Sequence, residues 1–275
     1  MSTASTAASS PYVMGHSEAE YERLALQAAK LAPHTAALLD RVPVLEGASC
    51  LDVGCGTGGA TELLAQRVGA GGSVLALDVD AAVGRWAARR LEEAGHHRCR
   101  FIAGDALDLP LDEHGPFDVV YARLVLIHAD DPVALLRRMW ELTAPGGALV
   151  VQDYDLRAVA SEPPTWVIDE FHRVFGGVFT RHGRPLEAGL RLPRWFAQAG
   201  IRAPEVTTVN GFVEPFPEIR PYLEGAYRST LPLALEAGLT TAEESARWFE
   251  EVARVPRDYT GRHPLMIGAF AHKPA

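Results

Sequence analysis

The chain has 275 residues, of which 48% are hydrophobic and 22% are charged, and its formal net charge is −9. This length suits one α/β domain with an additional cap or lid, and the composition is typical of a globular protein. Because its arginines are scattered and its net charge is negative, the surface would repel a phosphate polymer, which excludes nucleic acid as an expected partner.

The N-terminal part predicts a tail followed by a helical cap. Residues 1–11 are mostly small and polar, lack the basic and apolar regions of a secretory signal, and are expected to be disordered. Residues 17–20, Ser-Glu-Ala-Glu, form a capping box, after which apolar residues recur at helical spacing. We expect this helix to end near Pro33 and a second short helix to follow. Residues 12–44 are therefore predicted to be a helical cap.

Strands and helices then alternate, a pattern that builds a parallel sheet covered by helices on both faces. The predicted strands are 49–53, 73–77, 100–102, 117–122 and 148–152, and the predicted helices are 60–68, 81–93 and 132–142. The last of these helices has a clear start, because Asp131 suits the N-cap and Pro132 the first helical position.

Beyond residue 155 the alternation is less regular. Helices are predicted after Pro163-Pro164 and over 194–199, and strands over 205–213 and 265–271. Residues 215–259 lie between these two strands and are too long for a hairpin connection. They contain a second capping box at 241–244 and are predicted to be a helical insertion into a core formed by 45–214 and 260–275.

A glycine-rich loop follows the first strand of the sheet. In residues 51–59, Leu-Asp-Val-Gly-Cys-Gly-Thr-Gly-Gly, the glycines at 54, 56 and 59 fit G-x-G-x-x-G, and Asp78 lies nineteen residues beyond the third glycine. This arrangement predicts a nucleotide cofactor whose ribose is bound by Asp78. The glycines alone do not identify the cofactor, and an NAD-dependent oxidoreductase remains one interpretation.

Three further motifs favour a different cofactor. Asp52 precedes the first glycine by two residues, Gly104-Asp105-Ala106 follows downstream, and Ala-Pro-Gly-Gly at 144–147 precedes the next apolar strand. In this order the motifs resemble those of the class I S-adenosylmethionine-dependent methyltransferases, strongly over 45–155. Residues 12–24 are similar to the lead-in segment of a bacterial branch of small-molecule methyltransferases in that family.

The resemblance implies a Rossmann-like seven-stranded fold, mostly parallel with an antiparallel last strand, and S-adenosylmethionine as the cofactor. It implies that the glycine loop passes under the methionine part, that Asp105 accepts from the adenine amino group, and that Tyr12 and Arg23 close the pocket at the methionine carboxylate. The residues expected at the cofactor are Tyr12, Arg23, Asp52, Gly54, Cys55, Gly56, Thr57, Gly58, Asp78, Val79, Gly104, Asp105, Ala106, Arg123 and Leu124.

The resemblance also places His128 close to the transferred methyl group. A histidine there can take a proton from a hydroxyl or amine at neutral pH, and a histidine that only fixes the loop is the alternative. Candidate substrate contacts are His16, Asp153, Tyr154 and His182. The histidines form no H-E-x-x-H or comparable pattern, and the three cysteines lack C-x-x-C spacing, so no metal is expected.

Together these features predict methyl transfer to a small acceptor, with oxygen favoured over nitrogen or carbon and residues 215–259 as a lid over the acceptor pocket. The aromatic residues between 166 and 248 favour a hydrophobic acceptor of the natural-product kind. A cofactor-binding enzyme that cyclises or rearranges its substrate, and a non-catalytic partner protein, are alternatives.

No apolar run is long enough for a membrane span, and a soluble cytoplasmic protein is expected. The sequence does not determine the oligomeric state, and a homodimer is compatible with it.

Overall fold

The computed structural model describes residues 18–42 and 46–275. Ser17 of the first capping box, Tyr12 and His16 lie outside the described residues, as do residues 1–11. The helices are α1 (Glu18–Leu39), α2 (Gly59–Val68), α3 (Ala81–Glu93), α4 (Pro132–Leu142), α5 (Trp166–Arg181), α6 (Ala188–Gln198), α7 (Phe216–Glu236) and α8 (Ala242–Arg254). None of these helices is both long enough and apolar enough to cross a membrane.

Ten strands form two sheets in the described part of the chain. They are β1 (Ser49–Val53), β2 (Ser73–Asp78), β3 (Cys99–Ala103), β4 (Phe117–Arg123), β5 (Thr143–Asp155), β6 (Ala160–Glu162), β7 (Val206–Asn210), β8 (Val213–Pro215), β9 (Thr260–Arg262) and β10 (Leu265–His272). The larger sheet has seven strands in the order β3-β2-β1-β4-β5-β10-β7, and the smaller has the order β6-β9-β8.

The larger sheet confirms the predicted Rossmann-like fold. β1 pairs in parallel with β2 and β4, and its residue Cys50 lies opposite Val74 and Val119. β10 is antiparallel to both of its neighbours, β5 and β7. The central strands are buried on both faces by helices, as expected for a parallel sheet whose sequence is a continuous apolar run.

Side chains at the helix starts explain why several boundaries could be predicted. Asp131 accepts hydrogen bonds from the amides of Val133 and Ala134, so α4 begins at the predicted residue. Thr241 and Glu244 form the predicted reciprocal capping box at the start of α8. Each cap satisfies amides that otherwise have no partner within the helix.

The predicted helix break at Pro33 is wrong, because α1 continues through this proline to Leu39. An interior proline costs about 3 kcal/mol, and burial of a leucine contributes about 1.5–3 kcal/mol. Leu31 and Leu38, on either side of Pro33, are both buried. In addition, the Thr35 hydroxyl donates to Gln152 on β5 at 2.8 Å. Contacts with the sheet therefore outweigh the local tendency of Pro33 to end the helix.

The predicted strand over 205–213 is also wrong in its extent. It divides into β7, which joins the large sheet, and β8, which pairs with β9 in the small one. Nothing in the sequence predicted the small sheet, since its strands have three residues each and pair over long separations along the chain. Similarly, α6 begins at Ala188 instead of residue 194 and contains Pro193.

The helices α5, α7 and α8 pack together beside the large sheet. Trp248 of α8 is fully buried, stacks on Tyr227 of α7 at 4.1 Å between ring centroids, and donates its indole N–H to the carbonyl of Val167 in α5 at 2.8 Å. One tryptophan thus connects all three helices. Because α7 also faces the large sheet's carboxyl edge, this packing positions one wall of the site described below.

Candidate functional site

A cavity of about 230 Å³ lies at the carboxyl ends of β1, β2, β4 and β5. This edge of a parallel sheet is where ligands bind in such folds. α1 and α7 close the cavity from the opposite side. The glycine loop and three carboxylates line one end of the cavity. Aromatic and aliphatic side chains line the other end.

Glycine is required in the loop after β1. Gly54, Gly56 and Gly58 have φ angles of 69°, 51° and 78°, a region that favours glycine. A Cβ atom on Gly54 would also lie 2.4 Å from Cγ2 of Val125, so this position excludes any side chain. The loop therefore brings bare backbone to the cavity. Gly54, Cys55, Gly56 and Thr57 line it, whereas Gly58 does not.

Asp78 is held by backbone amides at the lip of the cavity. Its Oδ2 accepts from the amide of Gly56 at 2.8 Å, and its Oδ1 accepts from the amide of Asp80 at 2.9 Å. A carboxylate has about four acceptor sites, so a hydrogen bond from a ligand hydroxyl is compatible with these two bonds. This geometry fits the ribose contact expected from the sequence.

Asp52 lies deeper, at the end of β1, and is fully buried. Burial raises the pKa of its carboxyl group to about 6, against the opposing effects of a 2.6 Å hydrogen bond from the Thr61 hydroxyl and the nearby Arg123. Arg123 leaves the end of β4 and donates to the Thr35 hydroxyl at 2.9 Å. The floor of the cavity thus carries a carboxylate and a guanidinium from adjacent strands.

Leu124, which follows β4, has a strained backbone. Its φ of 59° is the single positive value of a residue other than glycine in the described part of the chain. Its amide donates to the carbonyl of Gln152 at 2.8 Å, and its side chain lines the cavity. Such strain concentrates at ligand sites, where surrounding structure enforces it.

His128 lines the apolar end, with its ring 5.9 Å from the ring of Phe179. Burial lowers the pKa of His128 to about 3, and the positive charge of Arg184 adds to this effect. The imidazole is therefore neutral near pH 7. A neutral imidazole accepts a hydrogen bond, but a base with so low a pKa removes protons only from acidic groups.

We expect His128→Asn to make the protein less sensitive to acid. Between about pH 3 and 6.5 the folded protein binds fewer protons at this residue than the unfolded chain, so the free energy of unfolding decreases as the pH falls. Integrated from pH 7 to pH 5, the effect is about 2 kcal/mol. Urea unfolding at the two pH values should show wild type losing that much more stability than His128→Asn.

The exposed His114 provides the control, since His114→Asn removes one surface histidine. The proposed protonation linkage would be wrong if His128→Asn and His114→Asn lost the same stability as wild type between pH 7 and pH 5.

Several residues of the cavity were missed as site residues by the sequence analysis. Tyr21, Leu24 and Gln27 reach it from α1, and the Tyr21 hydroxyl donates to Asp80 at 2.8 Å, which ties α1 to the end of β2. Tyr222 of α7 also lines the cavity, but it was not missed, since it is one of the aromatic residues between 166 and 248 from which the sequence analysis inferred a hydrophobic acceptor. The helical spacing of the apolar residues in α1 indicated a buried face, but the sequence did not show that this face meets a ligand cavity.

Other predicted residues lie outside this cavity. Asp105 is exposed at the end of β3, where it accepts from the amide of Leu107 at 2.9 Å, and its neighbours Gly104 and Ala106 do not line the cavity either. Val79, in contrast, lines the cavity, and its apolar side chain and that of Leu107 are 67% and 47% exposed. Exposed apolar side chains at the ends of adjacent strands offer a surface on which a flat ring can pack.

Two of the predicted substrate contacts make hydrogen bonds within the protein. Asp153 is fully buried and accepts from the amides of Ile127 and Tyr154 at 2.9 and 2.8 Å, so it holds the loop that carries His128. His182 follows α5, and its Nδ1 lies 2.8 Å from the carbonyl of Val178. Neither lines the cavity, whereas Tyr154 does. Tyr12 and His16 lie outside the described residues.

The structure offers no candidate metal site within the described ranges. No group of three or more histidine, cysteine, aspartate or glutamate side chains there is arranged to hold an ion. The three cysteines form no disulfide, and Cys50 and Cys55 are buried.

Comparison with known proteins agrees with the family that the sequence motifs resemble. Residues 50–147 match the methyltransferase domain. The chain is 33% identical over 218 residues to a trans-aconitate 2-methyltransferase of Deinococcus radiodurans, covering 76% of this chain and 78% of that protein. It is 29% identical over 174 residues to a demethylmenaquinone methyltransferase of Lactococcus lactis, covering 62% of this chain and 66% of that protein.

The fold also resembles that of a solved structure. A crystal structure from Bacillus halodurans, described as that of a methyltransferase, aligns with a TM-score of 0.61 at 20% sequence identity. The alignment covers 88% of this chain and 99% of the other. At this level of identity, the similarity supports the fold.

Proposed function

Because this chain belongs to the class I S-adenosylmethionine-dependent methyltransferases, we propose that it methylates an oxygen of a small, uncharged, apolar acceptor such as a phenol or an enol. S-adenosylmethionine is its cofactor, which removes the NAD-dependent oxidoreductase from consideration. The observation that carries the acceptor class is the apolar end of the cavity, where a neutral histidine lies among aromatic and aliphatic side chains.

Different groups of the described residues fit different parts of the cofactor. The Gly56 position, where a Cβ atom would enter open space, leaves room for the methionine part, and the Asp78 carboxylate lies at the lip of the cavity for the ribose hydroxyls. Val79 and Leu107 would flank the adenine, with Asp105 beside its amino group. Arg23 and Arg123 line the cavity as cations for the carboxylate. The bound cofactor supplies an electrophilic methyl group on a sulfonium.

The lining of the cavity argues against a highly charged acceptor. A tricarboxylate such as the trans-aconitate of the Deinococcus relative needs several cations, because unpaired buried charge is costly. Arg23 and Arg123 are the cations that line the cavity among the described residues, and the cofactor carboxylate would engage them. The other wall residues at the apolar end include Leu156, Phe175 and Phe179. An uncharged apolar acceptor fits this end better.

Orientation and exclusion of water would provide most of the rate enhancement. Holding two reactants at near-attack distance supplies about 7–11 kcal/mol, and the walls from α1 and α7 would keep water out. In this proposal residues 215–259 act as the lid, with Tyr222 and Ala226 of α7 facing the acceptor. His128 accepts the hydrogen bond of the acceptor hydroxyl and takes its proton as the methyl group is transferred.

The neutral state of His128 bears on the acceptor atom. A base with its pKa near 3 suits a phenol or enol better than an alcohol, because an alcohol holds its proton too tightly. For His128→Asn we expect kcat to fall about 10²-fold, the lower end of the effect of a positioned base. The KM for S-adenosylmethionine should stay within about twofold, because the loop that binds the cofactor is unchanged.

The test is a methyl-transfer assay with radiolabelled S-adenosylmethionine against apolar phenols and enols, with trans-aconitate as the charged comparison. Transfer to the phenols or enols with stoichiometric S-adenosylhomocysteine supports the proposal. Transfer to trans-aconitate alone would contradict the acceptor class. Conversion of a substrate without S-adenosylhomocysteine would instead favour a cyclising or rearranging enzyme.

A further inference from the structure

A second cavity, of about 310 Å³, adjoins the first between α1, α7 and the chain around β8 to β10. The two cavities share five lining residues, which form a partition between them: Arg23, Gln27, Leu31, Tyr154 and Tyr222. The methyl-transfer cavity is about 230 Å³, below the ~300–1,000 Å³ typical of small-molecule sites. With a nucleoside cofactor in place, it has room for little more than the reacting end of an acceptor.

Two hydrogen bonds of Gln27 hold the partition. The Gln27 amide donates to the Tyr154 hydroxyl at 3.3 Å, a long bond, while Arg23 donates to the Gln27 carbonyl oxygen at 2.7 Å. The Tyr222 hydroxyl makes no hydrogen bond among the described residues, although its ring lines both cavities. Rotation of the Gln27 side chain would connect the two spaces, and it would break both the long bond to Tyr154 and the bond from Arg23. Of these two, the neutral bond to Tyr154 contributes less net stability than the bond from the charged guanidinium.

Most of the surface that lines the second cavity is apolar, and its two cations, Arg23 and Lys30, are engaged by other side chains. Leu26, Phe212, Pro221 and Met266 line it. Its Lys30 is already ion-paired with Glu214 at 2.5 Å, and Glu214 also lies 3.0 Å from His263.

The rim of the second cavity carries the exposed acids Glu22 and Glu218. His34 packs on Phe212 with 4.2 Å between the ring centroids, and burial lowers the pKa of His34, so it adds a neutral ring. An uncharged hydrocarbon group is the ligand that such a lining accommodates best.

We propose that the second cavity binds the hydrocarbon tail of an elongated acceptor, whose reacting hydroxyl lies beside His128 and whose chain crosses the partition past Gln27 and Tyr222. This inference rests on the proposed function, since it concerns the same acceptor. It adds that the acceptor has a flexible or ring-bearing apolar tail and that the partition residues determine which tails are accepted.

The test uses 4-ethylphenol, 4-butylphenol and 4-hexylphenol as probes, titrated calorimetrically into the protein saturated with S-adenosylhomocysteine. Each methylene buried in an apolar site tightens Kd about threefold to fourfold, so hexyl should bind about 10²-fold tighter than ethyl. Leu26→Trp and Pro221→Trp place bulk in the second cavity from opposite walls. Both positions are exposed, so the substitutions are compatible with folding.

In both variants we expect the ethyl-to-hexyl difference to shrink to below about threefold, with the Kd of 4-ethylphenol unchanged. Ala29→Trp is the matched control, because Ala29 is an exposed residue of α1 that lines neither cavity. The inference is overturned if wild-type Kd does not depend on chain length, or if both filled variants retain the wild-type dependence. Persistence of the chain-length effect without any methyl transfer would reject the proposed function but keep the tail site.

Discussion

Replacing Asp78 with alanine is expected to weaken cofactor binding more than any other single change in the described part of the site. Hydrogen bonds to a charged group contribute about 1.5–3 kcal/mol each, so loss of the ribose contacts should raise the Kd for S-adenosylhomocysteine by about 10²-fold or more. The glycine loop would also lose an anchor, because Asp78 holds the amide of Gly56 at 2.8 Å. Isothermal titration with S-adenosylhomocysteine measures the effect directly.

Asp118 provides the matched control for this experiment. Its carboxylate also accepts from a backbone amide, that of Ser49 at 2.8 Å, but at the opposite end of β1 from the cavity. Asp118→Ala should therefore leave the Kd for S-adenosylhomocysteine within about twofold of wild type, since the two hydrogen bonds that it removes are remote from the cavity. Equal losses of affinity in the two variants would mean that Asp78 acts through general stability and not through the ribose.

Replacing Trp248 with alanine is expected to cause the largest loss of stability. Truncating a fully buried tryptophan costs about 3–5 kcal/mol, and here it also leaves the carbonyl of Val167 without its 2.8 Å partner. For a chain of this length, the melting temperature should fall by about 10 °C. Because Trp248 stacks on Tyr227 of α7, the wall of the cavity formed by α7 should loosen as well.

The control is Trp166, which begins α5 but is 44% exposed. Its indole lies under the guanidinium of Arg247 at 5.0 Å, an exposed contact that contributes about 0.5–1 kcal/mol. Trp166→Ala should therefore lower the melting temperature by no more than about 4 °C. Thermal unfolding of both variants, followed by circular dichroism, separates the two roles. Similar melting temperatures for the two variants would contradict the anchoring role of Trp248.

The sequence by itself determined the fold class, most element boundaries and the family, because each of these depends on short-range patterns. Apolar runs of five or six residues identified the strands, Asp131 and Thr241 marked helix starts through their own side chains, and the glycines from 54 to 58 supplied a backbone that no other residue permits there. Such signals are read within a few residues and do not need the rest of the chain.

The tertiary structure alone decided what depends on distant contacts. Pro33 remains within α1 because the sheet holds the helix on both sides of it, and the small sheet exists because segments about a hundred residues apart pair. Asp153 turned inward to bind amides of the loop before His128, and Tyr222 reached the cavity from an inserted helix. Burial and hydrogen-bond geometry depend on how the whole chain packs. Spacing along the chain could therefore identify these side chains as candidates, but it could not show which of them contact one another or line the cavity.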